Sequence, residues 1–294
     1  MRIGITLLPQ LRWREDAERW RRAEALGFDS AWTYDHLAWR SLADEPWGAT
    51  VPTLVAAATV TSSIRLGTWV ASPNFRHPVP FAKDAAGLDD VSEGRLTLGL
   101  GAGGAGFDAA VLGGPELSAR ERVDRFAEFV ELLDALLTRP VTTWSGQWFS
   151  AVEARNVPGP VQRPRPPFVV AANGPRSMRL VAAFGQGWAT TGPSGVDDGA
   201  WWQGVADLSA RLDDVLAAAG RDPATVERYL NVDRGEEGGY AMTSVERFAD
   251  AVGRARHLGF TEVVTHWPRA EGVYAGSEDV LEQVAARLGE LTAA

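Results

Sequence analysis

The same junction between a helix and a strand recurs along this chain, and it restricts the fold more than any other sequence feature. Residues 26 to 28 read Leu-Gly-Phe and precede an apolar run; the pattern returns at 257 to 267 and, more loosely, at 184 to 192. A glycine ends a helix in the left-handed conformation, an aromatic residue follows, and a strand begins. Such junctions are typical of repeated βα units, so the chain is predicted to form a wound parallel sheet.

Apolar runs alternate with helical patterns over the rest of the chain. Strands are predicted near residues 2 to 7, 29 to 34, 64 to 71, 95 to 101, 168 to 173, 187 to 191, 228 to 233 and 261 to 266. Helices are predicted before Gly27 and at residues 79 to 90, 119 to 138, 176 to 184, 200 to 219 and 244 to 257. Ser118 and Glu121 have the spacing of a capping box. Eight alternating strands favour an α/β fold of the (β/α)8 TIM barrel type over an open sheet.

One segment interrupts this rhythm. Residues 139 to 167 contain several prolines and glycines and paired aromatic residues. We expect an insertion there, with a short hairpin that folds toward the mouth of the barrel, and not a second domain. TIM barrels commonly use about 250 residues, so residues 1 to 294 are predicted to form a single domain.

Composition excludes several classes of function. The net charge of -9 opposes binding to nucleic acid or to an anionic membrane, because both require a basic surface. The absence of cysteine excludes thiolate nucleophiles and iron–sulfur clusters. No apolar run reaches the roughly 18 residues of a spanning helix, and the first residues are too polar for a signal peptide, so a cytoplasmic location is expected. Lys83 is the single lysine and lies in a predicted helix, which argues against Schiff-base chemistry.

A polar segment follows the third predicted strand. Residues 64 to 71 are mostly apolar, as in a strand buried on both faces, and residues 72 to 77 carry polar side chains. In a parallel barrel this order places the polar groups at the carboxyl ends of the strands, where such barrels hold their active sites. Together with TYDH at 33 to 36 and GRLTLGLGAGG at 94 to 104, this segment resembles the luciferase-like monooxygenase superfamily, in its branch that uses the deazaflavin coenzyme F420.

This resemblance implies a bacterial luciferase-like barrel that binds F420, with flavin mononucleotide (FMN) as the alternative cofactor. In the F420 branch an Asp-His pair follows the second strand, and the histidine lies near the reacting carbon of the cofactor. The matching residues here are Asp35 and His36. His36 is therefore expected to donate or accept a proton, a role suited to a group that titrates near neutral pH. From position alone, His36 is equally consistent with a structural histidine.

The resemblance also implies an unusual backbone in the third strand. Related enzymes have a bulge there, with a non-prolyl cis peptide that supports the middle ring of the cofactor. The matching bond joins Trp69 and Val70, next to Thr68. The indole of Trp69 is a departure, since a small residue would suit a backbone that touches a ring. The alternative is an ordinary buried strand.

Glycines dominate the segment after the fourth strand. The spacing of residues 99 to 104 satisfies GxGxxG, but its mid-chain position and the missing helix directly after it argue against a Rossmann site. Gly101 and Gly103 are instead expected to let the backbone approach a flat ligand. Related glucose-6-phosphate dehydrogenases have an acidic residue where this chain has Gly104, which argues against oxidation of a sugar phosphate by their mechanism.

F420 and FMN both carry a phosphate, so the resemblance implies a phosphate site. Asn173 and Gly174 end the fifth strand and lead into a helix start, where backbone amides bind anions, and Arg176 is the expected charged partner. The sixth strand adds hydroxyl and amide donors from Thr190, Thr191 and Gly192. The alternative is a well-capped βα turn without a ligand.

The candidates for the substrate pocket are Trp39, Trp47 and His77, which follow the second and third strands. Aromatic side chains there would form an apolar pocket for a ring-bearing substrate. The aromatic segment 144 to 149 is expected to line either that pocket or a dimer contact. The four histidines form no HxH or HxxxH pair, so no metal site is predicted.

Taken together, these features predict an enzyme that transfers hydride between F420 and an unidentified small organic substrate. Related proteins are commonly homodimers, and the same is expected here. Two alternatives remain open at this stage. One is an FMN-dependent luciferase-like monooxygenase. The other is a catalytically silent protein that binds a flavin or deazaflavin, which is kept open by Gly104 and Trp69.

Overall fold

Eight parallel strands close into a barrel in the computed structural model, which describes residues 1–235 and 239–293. The strands are β1 (Arg2–Thr6), β2 (Ser30–Thr33), β3 (Arg65–Ala71), β4 (Leu96–Leu100), β5 (Val141–Ser145), β6 (Ser150–Arg155), β7 (Phe168–Ala171), β8 (Gly187–Thr190), β9 (Glu227–Asn231) and β10 (Glu262–His266). The barrel order is β1-β10-β9-β8-β7-β4-β3-β2, and β5 pairs with β6 separately. The predicted TIM barrel and all eight of its predicted strands are confirmed.

Helices cover the outside of the barrel. They are α1 (Trp13–Ala25), α2 (Thr50–Ala58), α3 (Pro78–Val91), α4 (Phe107–Ala110), α5 (Ala119–Thr138), α6 (Pro175–Phe184), α7 (Asp198–Ala218), α8 (Val245–His257), α9 (Glu278–Ala285) and α10 (Leu288–Thr292). Within the described ranges, none of the helices has the length and apolar content needed to cross a membrane. The sequence pattern gave no bounds for α2, α4, α9 and α10, and the short α4 corrects the expectation that no helix begins between β4 and residue 119.

The strands form because their side chains are buried on both faces. All five residues of β4 are buried: Leu96, Leu98 and Leu100 share one face, and Thr97 and Gly99 share the other, which matches a strand between the barrel interior and an outer helix. Outside them, α5 buries an apolar face that includes Phe126 and Phe129. The predicted capping box is present at its start, since the Ser118 hydroxyl accepts from Glu121 N and the Glu121 carboxylate accepts from Ser118 N.

A bulge interrupts β3 at the position that the resemblance implies. Its pairing with β4 shifts register between Thr68 and Ala71, and the Trp69–Val70 peptide is cis. A Cβ on Gly101 would lie 2.5 Å from Val70 Cγ2. The expectation for this glycine is therefore corrected: Gly101 makes room for the bulged neighbouring strand and not for a ligand.

The predicted insertion contains the hairpin of β5 and β6. Its turn is fixed to α5, because the Glu128 carboxylate accepts hydrogen bonds from the backbone amides of residues 147 to 149. At the same end, the ring of Phe149 meets the ring of His77 edge to face at 5.4 Å between centroids. No hairpin residue lines the cavity described below, so the segment from 144 to 149 does not form a pocket wall.

Candidate functional site

A cavity of about 610 Å³ opens at the carboxyl ends of the barrel strands. Its size lies within the range of cofactor and ligand sites. The ends of six barrel strands contribute to it, through residues that include Tyr34, Val70, Gly103, Ala171, Thr190 and Asp233. A TIM barrel places its reactive groups at this end, so the cavity is the candidate active site.

One wall of the cavity is formed largely by small residues and backbone. Ala102, Gly103 and Gly104 follow β4, and the wall continues through residues 171 to 172 of the segment at β7 and Ala189 of β8. A Cβ on Gly104 would meet no atom within 4 Å, so this glycine faces open space. A wall without long side chains suits a flat ring system.

Trp69 does not obstruct this wall. The indole lines the cavity but is only 6% exposed, and it packs edge to face on Trp32 inside the barrel, with 5.0 Å between centroids. The large side chain at this position therefore leaves the wall free for a ring, because the indole is directed into the barrel. The side-chain hydroxyl of the adjacent Thr68 is buried and donates to Gly99 O at 2.8 Å, which ties the bulged strand to β4.

His36 lies at the rim of the cavity and is held by a carboxylate that the sequence analysis missed. His36 Nδ1 lies 2.5 Å from Asp108 Oδ2, and Asp108 Oδ1 accepts from Leu37 N at 2.9 Å. Asp108 is carried by the unpredicted α4 and is itself buried. Nε2 of His36 makes no hydrogen bond within the described ranges 1–235 and 239–293, so it is the ring nitrogen left to meet a ligand.

Asp35 points away from this pair. Its buried carboxylate accepts two hydrogen bonds from Arg76, at 2.6 Å from Nη2 and 3.1 Å from Nε. Burial opposes the charge of Arg76, but the hydrogen bond with Asp35 outweighs it and raises the pKa of the guanidinium. Asp35 does not line the cavity; it fixes the segment after β3 to the end of β2.

The three predicted pocket residues take different positions. Trp39 lines the cavity, and its ring lies 5.3 Å from that of Tyr34. Trp47 does not line it, but its indole donates to His36 O at 2.9 Å and so supports the histidine backbone. His77 lies outside the lining and caps α3, where its Nδ1 accepts from Val79 N.

Polar groups gather at the ends of β7 and β8. Thr190 Oγ1 donates to Asn173 Oδ1 at 2.7 Å and accepts from Gly192 N at 3.0 Å, and these three residues line the cavity together with Thr191. Ser177, in the first turn of α6, lines it too. Gly174 caps α6 without lining the cavity. Arg176, also outside the lining, forms a surface ion pair with Asp124.

A second set of polar side chains lies across the cavity from β7. The Tyr34 hydroxyl contacts His266 Nε2 at 2.8 Å, and His266 Nδ1 lies 2.7 Å from Asp233 Oδ2. Tyr274 adds a hydroxyl 3.0 Å from that of Tyr34. None of these groups was assigned a role from the sequence, although Tyr34 lies in the TYDH motif and Asp233 ends a predicted strand.

Comparison with known proteins places this fold and site in a family. The family model described as luciferase-like monooxygenase matches residues 1–233. The chain belongs to the luciferase-like monooxygenase family. An F420-dependent glucose-6-phosphate dehydrogenase of Beutenbergia cavernae is 32% identical, with 90% of each chain covered.

Solved structures of this luciferase-like type share the whole fold. One is an F420-dependent secondary alcohol dehydrogenase in complex with an F420–acetone adduct, which covers 100% of this chain and 99% of its own at 18% identity, with a TM-score of 0.81. Another is the monooxygenase RslO1 from Streptomyces bottropensis, which covers 99% and 98% at 25% identity, with a TM-score of 0.72. This luciferase-like protein is thus an enzyme of a family with both dehydrogenase and monooxygenase members.

This luciferase-like site has Gly104 where the related glucose-6-phosphate dehydrogenases have an acidic residue, and a nearby carboxylate partly compensates for the missing acid. No side chain occupies that position, but Asp108 brings a carboxylate to His36 from four residues further along the chain. An acid is therefore present at the carboxyl end of β4, bound to the imidazole and not directed alone into the cavity.

Proposed function

We propose that this protein is an F420-dependent oxidoreductase that transfers hydride between the deazaflavin and a small organic substrate, with His36 as the proton donor or acceptor. The observation that carries the proposal is a single cavity that combines a wall of small residues with a carboxylate-held histidine. The F420-dependent relatives support the choice of deazaflavin over FMN.

The residues present fit a flat cofactor with an anionic tail. The wall formed by Gly103, Gly104 and Ala171, with the backbone of the bulged β3, would bear the ring system. The anionic tail needs hydrogen-bond donors. Backbone amides and hydroxyls provide them near Ser177, at the first turn of α6, and near Thr191, at the end of β8. When bound, the deazaflavin supplies the hydride chemistry.

His36 contributes the movement of a proton. Asp108 engages Nδ1, which fixes the ring orientation and leaves Nε2 for a substrate oxygen. Because the Trp47 indole holds His36 O, both the backbone and the ring of the histidine are fixed before a ligand arrives. Such preorganisation favours a general acid or base over a structural role.

Titration of the purified protein with F420 and, separately, with FMN tests the cofactor. Twelve tryptophans, of which Trp39, Trp69 and Trp201 line the cavity, provide a fluorescence signal. We expect F420 to bind more tightly than FMN and to be reduced by members of an alcohol panel. Oxygen uptake with reduced FMN and hydroxylation of a substrate would favour the monooxygenase, and tight binding without any turnover would favour a silent binding protein.

His36→Ala tests the proton role. The variant is expected to bind F420 with unchanged affinity and to lose about 10²- to 10⁴-fold in kcat, the usual contribution of general acid–base catalysis. The matched control is His257→Ala, because His257 is exposed at the end of α8 and does not line the cavity. Unchanged turnover in His36→Ala would remove this residue from the mechanism.

We also propose that the protein is a homodimer. Large apolar side chains remain exposed on the monomer, among them Leu112 at 67% and Val152 at 84%. A subunit interface covers such side chains where they form one contiguous patch. Light scattering on the purified protein would measure the mass, and a monomer at micromolar concentration would contradict the proposal.

A further inference from the structure

A chain of hydrogen bonds runs from a buried carboxylate to the cavity along the carboxyl ends of β9, β10 and β2. It joins Asp233, after β9, to His266, at the end of β10, and then to Tyr34, after β2. His266 is fully buried, whereas Asp233 and Tyr34 line the cavity. We call these three residues the buried relay.

The donors and acceptors of the buried relay can be assigned from its contacts. Asp233 Oδ2 receives His266 N at 2.7 Å and Thr265 Oγ1 at 3.0 Å, and Oδ1 receives Ala241 N at 2.8 Å. A carboxylate surrounded by donors acts as an acceptor, so the proton of its contact with the imidazole lies on Nδ1 of His266. Nε2 of His266 is then an acceptor, and the hydroxyl of Tyr34 must donate to it.

The position of Tyr274 is consistent with this assignment. The only proton of the Tyr34 hydroxyl is used toward His266, so in the 3.0 Å contact between the two hydroxyls Tyr274 is the donor. The Tyr274 ring also stacks on His266, with 3.6 Å between centroids and 6° between planes. The imidazole is thereby held in one orientation from both its edge and its face.

We propose that the buried relay is a second proton-handling system, which exchanges a proton with the oxygen of an alcohol or carbonyl substrate. This inference rests on the proposed hydride-transfer function, and it narrows the substrate to compounds that are interconverted between a hydroxyl and a carbonyl group. Tyr34 is assigned as the catalytic residue of the relay, because it lines the cavity and its hydroxyl contacts His266. His266 acts through Tyr34, and Asp233 positions His266.

The step balances as a proton transfer. The substrate oxygen releases one proton, and the rings of Tyr34 and His36 lie 5.8 Å apart between centroids, so the relay and His36 are two routes for that same proton. On the route through the relay, the O–H bond of the substrate breaks in the oxidative direction and its proton binds the Tyr34 oxygen, while the Tyr34 proton moves to His266 Nε2. His266 becomes an imidazolium paired with the Asp233 carboxylate. The hydride of the substrate C–H bond is taken by the deazaflavin, the oxidant named in the proposed function. The reductive direction reverses each proton movement.

Burial supports the role of Tyr34 as a neutral carrier. Removal from water, with additional effects of Tyr274 and the negative charge of Asp233, raises the pKa of the Tyr34 hydroxyl well above its usual value. Tyr34 therefore stays protonated at neutral pH, and it relays a proton without accumulating as a phenolate. The positive charge created by the proton transfer lies on the His266 imidazolium, next to the Asp233 carboxylate.

Other titratable groups face the relay from every side. They are His36 and Arg40 after β2, Tyr240 before α8, and Tyr274 before α9. Tyr240 provides the matched control, because its hydroxyl donates to the backbone oxygen of His266 at 2.6 Å and it does not line the cavity. Tyr240→Phe removes the same chemical group from the same neighbour without breaking the relay.

Histidine-selective ¹⁵N NMR of the protein without cofactor tests the geometry. The chain has four histidines, so His266→Gln assigns the resonance. We expect a proton on Nδ1 and a Nε2 shift that changes in Tyr34→Phe but not in Tyr240→Phe. A proton on Nε2, or no effect of Tyr34→Phe, would overturn the relay. This result is independent of whether F420 binds, so it separates failure of the relay from failure of the proposed cofactor.

Reduction of F420 by a panel of secondary alcohols tests the chemistry. We expect Tyr34→Phe to lower kcat/KM by about 10²-fold or more, with unchanged F420 affinity, and to remove one ionisation from the pH profile of kcat/KM. Tyr240→Phe should keep the wild-type pH profile. A wild-type profile in Tyr34→Phe would reduce the network to a structural role, and a wild-type protein that binds F420 but turns over no alcohol or carbonyl probe would refute the assigned substrate class.

Discussion

His36 Nδ1 and Asp108 Oδ2 lie 2.5 Å apart, although the two residues are 72 positions apart in the chain. The second oxygen of Asp108 binds the amide of Leu37, so one carboxylate fixes both the ring of His36 and the backbone beside it. Asp108 belongs to a four-residue helix that lies at the carboxyl end of β4. The short helix therefore serves the site by placing a buried acid against the histidine.

Asp108→Asn should weaken the hold on His36. The amide keeps the size of the side chain, but its NH2 group cannot accept a hydrogen bond, so one of the two contacts, with His36 Nδ1 or with Leu37 N, loses its acceptor. We expect a lower kcat with unchanged affinity for F420. The loss should be smaller than the 10²-fold or greater effect of removing His36 itself, because the imidazole remains. Steady-state kinetics and fluorescence titration measure the two quantities.

The control for this variant is Asp90→Asn, an exposed carboxylate near the end of α3 that does not line the cavity. If Asp108→Asn and Asp90→Asn behaved alike, the contact between Asp108 and His36 would have no part in turnover.

The barrel was predictable because its signals are local. A strand buried on both faces, a glycine after a helix, and the capping box at Ser118 each act within a few residues. The bulge at Trp69 is implied only by the resemblance, because the space that it needs is provided by another strand: Gly101, at the end of β4, has no side chain to collide with Val70. Helix α4 was missed because four residues carry too little periodicity to be recognised.

The site was less predictable, since its contacts join distant parts of the chain. The resemblance groups Asp35 with His36 as an Asp-His pair, yet the partner of Asp35 is Arg76, on the segment after β3. His266 was considered only as a metal ligand, and its contact with Tyr34 spans 232 positions. Arg176 was chosen as the nearest cation to a helix start, but Asp124 of α5 lies within reach and pairs with it. No sequence spacing reveals such pairs.

The two glycines of the β4 segment should respond in opposite ways to alanine. In Gly101→Ala the new methyl group would lie 2.5 Å from Val70 Cγ2, so we expect a loss of about 1–3 kcal/mol in the free energy of unfolding, as in other overpacked sites. In Gly104→Ala the methyl group meets no atom and points into open space. This variant should keep its stability and bind F420 more weakly.

Thermal unfolding and F420 titration of both glycine variants check this contrast. Equal stability of the two proteins would show that β3 can move away from β4 at no cost. Unchanged F420 affinity in Gly104→Ala would place the cofactor away from this wall.

Glu24 should make folding sensitive to acid. Partial burial opposes its ionisation, but hydrogen bonds from the amides of Ile64, Ser63 and Ser62 outweigh burial and lower its pKa from 4.5 to about 2. A depressed pKa in the folded state stabilises the fold above pH 4.5, and this contribution is lost as the pH falls toward 2. Glu24→Gln should therefore lower the Tm at neutral pH, and the difference from wild type should shrink in acid.

Glu18→Gln is the control for Glu24, because Glu18 is exposed on the same helix and forms only a surface pair with Arg21 among the contacts of residues 1–235 and 239–293. A difference between Glu24→Gln and wild type that stays constant from neutral to acid pH would contradict the role of the three amides.

Glu262 and Arg2 lie at the amino ends of β10 and β1, on the side of the barrel away from the cavity. The stability contributed by Glu262 should change with pH in the direction opposite to that of Glu24. Burial raises the pKa of the Glu262 carboxyl above its usual value, although Ser30 and Arg2 donate to it. A raised pKa in the folded state means that the contribution of this group is fully present below pH 4.5 and declines as the pH rises through the folded value. The Glu262 carboxylate therefore depends on Arg2 most strongly at neutral and alkaline pH.

Arg2→Met keeps much of the side-chain stem and removes the cation. Breaking a fully buried ion pair costs about 3–5 kcal/mol, but Arg2 is 39% exposed, so we expect a loss of about 1–3 kcal/mol at neutral pH. The loss should decrease in acid, where Glu262 is protonated. It should also decrease in the background of Glu262→Gln, which removes the charge and keeps a partner for the Ser30 hydroxyl. Arg2 also binds the more exposed Glu227, so part of the cost remains in that background. Denaturant unfolding of the two single variants and the double variant, at neutral and at acid pH, measures the coupling between Arg2 and Glu262. If Arg2→Met cost the same free energy of unfolding in both backgrounds and at both pH values, Glu262 would be stabilised without the arginine.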